Sequence, residues 1–296
     1  MSTIAFIGLG IMGGPMAAHL VGAGHTVLGV NRSPAPVQRL VEAGGRDGGS
    51  VAEAVRDADV VITMVPDSPD VEAVALGEDG IYAHARPGAL HVDMSSIRPD
   101  VAVALARTGA QAGVAVLDAP VSGGQAGAQE AKLSIMVGGG PDAFAAARPL
   151  LEVMGSTVVH VGPAGSGQTV KAANQLVVGG TYQLLAEAIV FLRAHGVDDE
   201  AALRVLAGGL AGSTVLDRKG ASMLAGRFEP GFRVDLHHKD MGIVTAAARE
   251  QGVALPLGAL TAQLIGALRA QGDGSLDHSA LLRGVERLSG RPVSGD

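Results

Sequence analysis

"TIAFIGLGIMGGPMAAHLVGAGHTVLGVNRS", Thr3 to Ser33, is the stretch whose reading decides the fold. It begins as a short apolar run, "TIAFIG", and turns through glycines at positions 8, 10 and 13. It continues as an Ala-rich segment of helical length, Met12 to Gly22, and ends in a second apolar run, "TVLGVN". In a chain with 44 glycines the spacing G-x-G-x-x-G means little alone. Set between a strand and a helix that lead to another strand, it is the fingerprint of dinucleotide binding. Gly8 permits the tight turn, Gly10 lets the backbone approach a pyrophosphate, and Gly13 allows the helix to pack close to the strand. The loop Gly8, Leu9, Gly10, Ile11, Met12 and Gly13 is therefore the expected cofactor cradle, with the phosphates at the helix N-terminus.

Outward from this unit the pattern repeats. Further apolar runs, "DVVITMV", "ALHVDM", "VAVLDAP", "LSIMVGG" and "STVVHVG", alternate with segments of helical length such as Val51 to Arg56 and Pro99 to Gly109. Such alternation predicts parallel strands covered by helices on both faces. At 296 residues, with roughly 150 per domain as the prior, two domains are expected. From Ser166 to His195 there is no proline, and Gly196 is a good stop, so the spacing predicts one helix of about 45 Å. Gly179-Gly180 within it marks either a close packing contact or a kink. Glu200–Leu206, Asp240–Gln251 and Leu257–Arg269 also read as helices. The expected architecture is α/β: a Rossmann-type doubly wound sheet over residues 1–163, then an all-helical second domain over 164–296. A long interdomain helix, about 166–195, joins the two.

Composition limits what the chain can do. Hydrophobic residues make up 47% but aromatics only 2%, with no tryptophan, so aromatic platforms for single-stranded nucleic acid are not expected. A formal charge of −7 argues further against nucleic-acid or anionic-membrane partners. With no cysteine there is no disulfide, thiolate metal site or cysteine nucleophile, in keeping with a cytoplasmic enzyme. The apolar start lacks a basic n-region and is broken by glycines and Pro15, so it reads as folded protein rather than a signal peptide. No other segment is expected to reach membrane-spanning length free of charges or breakers.

The end of the second strand bears on cofactor choice. An NAD site usually places Asp or Glu there, whereas this chain has Asn31, Arg32 and Ser33. Arg32 can pair with a 2′-phosphate, helped by the Ser33 hydroxyl, which favours NADP while leaving NAD possible. The alternative is that Arg32 is a solvated loop charge.

"FIGLGIMGGPMA", "DAPVSGG" at Asp118–Gly124, "GSGQTVKAANQ" at Gly165–Gln175 and "FRVDLHHKD" at Phe232–Asp240 occur in this order. Together they resemble the β-hydroxyacid dehydrogenase family, which includes 3-hydroxyisobutyrate dehydrogenase and the glyoxylate and succinic semialdehyde reductases. The resemblance covers essentially the whole chain. "ITMVPDSPDVEAVALGEDGI", "GGLAGSTVLD" at Gly208–Asp217 and "DHSAL" at Asp277–Leu281 are most similar to members that reduce tartronate semialdehyde. Some of those have Asp-Arg where this chain has Asn31-Arg32, which agrees with the NADP argument.

Reducing an aldehyde by hydride transfer develops charge on the carbonyl oxygen, and a positioned cation that can donate a proton meets both needs. Lys171 is the candidate, and the family's catalytic lysine matches it. Its apolar surroundings would lower its pKa and make it a better proton donor. Asn174, one helical turn on, would orient Lys171 or the substrate oxygen. The bland reading of Lys171 is a lysine snorkelling to solvent.

Ser122, Gly123 and Gly124 follow a strand and offer a hydroxyl and backbone N–H groups for a substrate carboxylate, as the resemblance also implies. The resemblance further implies Val65, Pro66 and Ser96 on the nicotinamide side, Lys239 near the cofactor, and Phe232 and Asp240 near the substrate. His237 and His238 point about 100° apart on a helix, with no H-E-x-x-H spacing, so a structural or solvated role is expected and no metal site. The expected function is NAD(P)H-dependent reduction of a small carboxylated aldehyde, tartronate semialdehyde to glycerate leading. 3-Hydroxyisobutyrate oxidation, glyoxylate or succinic semialdehyde reduction, or a non-catalytic NADP-binding module are the alternatives. The long apolar helix hints at a homo-oligomer, dimer or tetramer.

Overall fold

The computed structural model describes residues 1–295. The chain divides into two compact units, Met1–Lys171 and a second that begins at Ala172.

The first unit opens with β1 (Thr3–Ile7), α1 (Gly13–Gly22), β2 (Thr26–Val30), α2 (Pro34–Glu42), β3 (Arg46–Asp47), α3 (Val51–Val55) and β4 (Val60–Thr63). It continues through α4 (Ser68–Leu76), α5 (Ile81–His84), β5 (Leu90–Asp93), α6 (Pro99–Gln111) and β6 (Ala115–Asp118). The last elements are β7 (Val121–Ser122), α7 (Gly124–Gln129), β8 (Leu133–Gly138), α8 (Pro141–Met154) and β9 (Gly155–Gly162). Strand order is β3-β2-β1-β4-β5-β6-β8-β7, with β9 also on β8. The order reverses at β1 and β4, which run in parallel register from Ile4 opposite Val60 to Ile7 opposite Thr63. An open α/β sheet binds ligands at the carboxyl ends of its strands beside that switch point.

β1, β2 and β4 are nearly continuous in apolar residues because the sheet there is covered on both faces, whereas Arg46 and Asp47 of the edge strand β3 are exposed. One face packs Ile4, Phe6, Ile62, Val92 and Leu117 with Met16 and Leu20 of α1 and Leu151 of α8. The other packs Ala5, Ile7 and Val61 with Val55, Val71 and Leu105. All seven strands expected from apolar runs are present. The expectation of a wholly parallel sheet is corrected at β8, which runs antiparallel to β6 and to the two-residue β7. The connection from β6 to β8 is occupied by β7 and the six-residue α7, whose short segment turns the chain back rather than crossing over the sheet. β3 and β7 escaped the sequence reading because two residues carry no period.

The helix α9 (Ser166–Ala194) closes the first unit and opens the second. It ends where expected: Gly196 has φ +69°, its N–H donates to the Arg193 carbonyl, and the Val197 N–H donates to the Leu192 carbonyl. This is a Schellman stop, for which glycine is the natural residue. Gly179 resolves the earlier alternative in favour of close packing, since a Cβ there would sit 3.1 Å from His237 Nε2. α9 is long and apolar enough, by length and composition, to cross a membrane, but Lys171, Glu187 and Arg193 fall within it. Of its most apolar stretch 44% is buried inside the protein.

The second unit continues with α10 (Asp199–Ala207), α11 (Thr214–Leu224), α12 (Val234–Glu250), α13 (Pro256–Ala270) and α14 (Leu281–Leu288). Its core joins Tyr182, Ile189, Met223, Met241, Ile265 and Leu282. α12 starts six residues before the expected Asp240, so the whole "VDLHHKD" segment is helical.

Candidate active site

The glycine loop leaves β1 and enters α1. Gly8 has φ +99°, and a Cβ on it would collide with the Met64 carbonyl oxygen; a Cβ on Gly13 would collide with the Gly8 carbonyl oxygen. These two glycines let backbone pack on backbone. Gly10 differs, because a Cβ there meets nothing within 4 Å. Open space at the middle glycine, at the start of a helix with no side-chain cap, is what a pyrophosphate would fill. The residues present therefore fit a dinucleotide. Leu9 turns its side chain into the core, whereas Ile11 is exposed.

At the end of β2, Asn31 acts on the loop itself. Its Oδ1 accepts from the Leu9 N–H at 3.0 Å, and its Nδ2 donates to the Ser33 carbonyl and hydroxyl at 3.1 and 3.0 Å. Arg32 is exposed, with a loose 3.7 Å pair to Asp70. Such a surface pair contributes at most about 1 kcal/mol and does not tie the guanidinium down.

Three polar side chains lie in register at the ends of the central strands: Thr63 on β4, Asp93 on β5 and Asp118 on β6. Thr63 Oγ1 donates to Asp93 Oδ1 at 2.7 Å, as does the Ser95 N–H at 3.2 Å. The Ser95 hydroxyl accepts from the Val65 N–H at 2.9 Å, fixing the β4 and β5 loops to each other. Val65 and Ser96 are half-buried and Pro66 is exposed on these loops.

Asp118 accepts from the N–H groups of Gly165 (2.8 Å) and Gln168 (2.9 Å), so a carboxylate sits at the positive end of α9. Gln168 Nε2 donates to the Ser95 carbonyl at 2.8 Å, and its Oε1 accepts from the Ile97 N–H at 3.1 Å. Burial pushes the Asp118 carboxyl up against four backbone N–H groups. Burial also raises Asp93, to about 6, aided by the Asp118 charge and opposed by Thr63 and Ser95.

One turn beyond Gln168, Lys171 is buried, with 8% exposure. Its Nζ donates to the Val121 carbonyl at 2.7 Å, one residue before Ser122. It is held inside rather than snorkelling. Ser122 and Gly123 are half-buried; Gly123 (φ +134°) and Gly124 (φ +63°) adopt backbone that favours glycine. Gly123 and Gly124 thus present bare backbone two and three residues after the carbonyl that holds Lys171.

In the second unit, Asn174 Nδ2 donates to Gln175 Oε1 at 2.8 Å, and Gln175 Nε2 donates to Asp240 Oδ2 at 2.6 Å. Asp240 Oδ1 pairs with Lys239 Nζ at 2.9 Å. Asn174 lies three residues after Lys171 on α9, as expected, but its amide faces Gln175. His237 is fully buried, not solvated, and its Nδ1 lies 3.0 Å from Nδ1 of His278. Phe232 packs edge-on to both imidazoles.

The turn before α12 is held by Asp277, which accepts from the N–H groups of Gly231 and Phe232 and from Lys219 Nζ. Burial would raise Asp277, but His278, Lys219 and Ser279 outweigh it and hold the carboxyl at about 2. Among the described residues no group of three or more His, Cys, Asp or Glu could hold a metal. Asp93, Asp118, Gln168 and Gln175 were not singled out in the sequence. The signal was there in a carboxylate closing each of two apolar strands, "LHVD" and "AVLD".

A Rossmann sheet with a glycine cradle, a buried lysine and a helical second unit defines an NAD(P)-binding oxidoreductase. Residues 3–162 match the model of the NAD-binding domain of 6-phosphogluconate dehydrogenase, and residues 165–285 that of the NAD-binding region of NADP-dependent 3-hydroxyisobutyrate dehydrogenase. The chain is 38% identical to 2-hydroxy-3-oxopropionate reductase of Escherichia coli K12, over 98% of this chain and 99% of that one. It is also 38% identical to 3-hydroxyisobutyrate dehydrogenase of Pseudomonas aeruginosa, over 95% and 97%. Among solved structures, 3-hydroxyisobutyrate dehydrogenase of Mycobacterium tuberculosis with L-serine superposes with TM-score 0.86 at 35% identity, covering 96% and 99%. The chain belongs to the NAD(P)-dependent β-hydroxyacid dehydrogenase family.

Proposed function

We propose that this chain is an NADPH-preferring reductase of a small carboxylated aldehyde, with tartronate semialdehyde (2-hydroxy-3-oxopropionate) reduced to glycerate as its reaction. The observation that carries the reading is the buried Lys171 ammonium, 2.7 Å from the Val121 carbonyl and beside the Ser122–Gly124 turn. A bound nicotinamide would supply the hydride. Ser122, Gly123 and Gly124 hold the carboxylate through the hydroxyl and backbone N–H groups. Lys171 Nζ then lies next to that anion, stabilises charge developing on the aldehyde oxygen and delivers the proton to it. Gly8 to Gly13 hold the pyrophosphate, and Val65, Pro66 and Ser96 line the nicotinamide side. The family motifs extend the assignment to Asn174, Phe232 and Asp240 for substrate positioning and to Lys239 for the cofactor.

In the same proposal residues 1–163 form the cofactor domain and 164–296 the substrate and oligomerisation domain of a cytoplasmic homo-oligomer. Val177, Leu184 and Phe191 are exposed at seven-residue intervals along α9, which supports burial against another copy; sedimentation velocity checks it.

A steady-state screen tests the reading: tartronate semialdehyde, glyoxylate, succinic semialdehyde and 3-hydroxyisobutyrate, each with both cofactors. The highest kcat/KM is expected for tartronate semialdehyde with NADPH, and no turnover with any of them would overturn the assignment. Arg32→Ala is expected to weaken NADPH about 10–100-fold, the worth of a charge-assisted contact of about 1.5–3 kcal/mol. NADH should be left nearly unchanged. No loss for either cofactor would make Arg32 a solvated loop charge, and equal losses would deny it a role in choosing between them.

A further inference from the structure

A buried polar chain crosses the first unit, apart from every residue given a role above except where it ends. Tyr82 on α5 lies 3.0 Å from His91 Nδ1, and His91 Nε2 lies 3.0 Å from Thr63 Oγ1. Thr63 spends its one proton on Asp93, so it must accept from His91 Nε2–H, which leaves Nδ1 to accept the Tyr82 O–H. His91 is held neutral, because burial lowers it to about 3. Three donors therefore run in one direction and terminate on one carboxylate. Its other oxygen, Oδ2, is buried without a hydrogen-bond partner. Such a half-satisfied carboxylate is costly, and the fold retains it.

What Asp93 holds gives it a consequence. Its Oδ1 fixes the Ser95 N–H; the Ser95 hydroxyl fixes Val65; the Ser95 carbonyl and the Ile97 N–H pin both ends of the Gln168 amide. Gln168 lies one turn before Lys171 on α9. We propose that Asp93 is a positioning residue for the reaction. Through the Ser95–Ile97 turn it sets the β4 loop and the turn of α9 that presents Lys171, and it does so fully only as a carboxylate.

The groups facing Asp93 are Thr63 on β4, His91 on its own strand, Tyr82 on α5 and Asp118 on β6. Of these, Tyr82 and His91 stay neutral across the working range, and Asp118 reinforces the upward shift. Since its folded-state pKa is raised, Asp93 contributes stability at low pH that is lost as pH rises through about 6. Function runs the other way: below about 6 the acceptor becomes neutral and its hydrogen bonds weaken.

The inference rests on the reductase reading, so two readouts are needed. In the full-length wild type, kcat is expected to fall on the acid side with a midpoint near 6. Over the same range, hydrogen exchange in residues 165–171, corrected for intrinsic rates, should rise. Asp93→Asn is expected to abolish both midpoints and to lower kcat at pH 8 about tenfold, the loss of roughly one charge-assisted acceptor, with NADPH affinity changed less than about threefold.

Thr63→Val removes a donor that lowers Asp93 and should move both midpoints upward, whereas Thr63→Ser should restore them. An unchanged acid limb in Asp93→Asn overturns the proposal. If that variant does not fold, unchanged midpoints in Thr63→Val overturn it. If the wild type reduces no substrate, the reductase reading fails but the exchange profile still decides: no transition in residues 165–171 overturns the role of Asp93.

Discussion

Lys171→Ala is expected to lower kcat by at least about 10³-fold while NADPH affinity stays within a few-fold. General acid catalysis supplies 10²–10⁴, and loss of a buried cation beside the developing oxyanion adds to it. Alanine also strips the Val121 carbonyl of a donor, a loss of about 1–3 kcal/mol in stability. Lys171→Arg separates the two effects. It retains a cation able to bond that carbonyl, but a guanidinium does not release its proton near neutrality. Stability should largely return and kcat should not. Single-turnover kinetics and a melting curve on both variants check this; kcat within tenfold of wild type in Lys171→Ala would remove the lysine from the chemistry.

Gly10→Val should weaken NADPH binding about 100-fold and leave the melting temperature unchanged. A Cβ at Gly10 enters empty space, so the folded chain does not register it, whereas a pyrophosphate would. Overpacking of about 1–3 kcal/mol would fall wholly on the ligand, and about 2.7 kcal/mol is the 100-fold loss. Gly13→Val is the contrast, because its Cβ runs into the Gly8 carbonyl with or without a ligand. It should lose stability and cofactor together. Fluorescence titration with NADPH beside thermal unfolding distinguishes the two. Equal destabilisation by both would mean that the middle glycine serves packing, not a phosphate.

The doubly wound sheet could be read from the sequence because buried parallel strands are written as mainly apolar runs, as in β1, β2 and β4, while β5 and β6 keep that character up to a closing carboxylate. The reversal at β8 could not, since a run such as "LSIMVG" has no direction; that depends on the length and folding of the preceding connection. Glycine positions were readable because the G-x-G-x-x-G spacing is local, although the close approach that Gly8 permits is to Met64 on another strand's loop. Lys171 stood out because it is the one lysine of a mainly apolar helix, and the structure places it buried on the Val121 carbonyl. Asp93, Asp118 and Gln168 were harder: their partners lie on other elements, 71 residues away for Ile97 and Gln168 and 50 for Asp118 and Gln168. Asn31 shows the same limit, for it was placed at the cofactor by position while its side chain serves the Leu9 turn.

The chain has no tryptophan and two tyrosines, Tyr82 at the head of the polar chain in the first unit and Tyr182 packed at a tilt against His278 in the second. Each unit thus carries one intrinsic fluorophore. Burial pushes both phenols above their ordinary range, Tyr82 further by the Asp93 charge and Tyr182 further by that of Asp277. Neither ionises near neutrality. With Tyr182 replaced by phenylalanine, ultraviolet emission reports on the Rossmann unit alone, and unfolding of that unit can be followed by light without an added label.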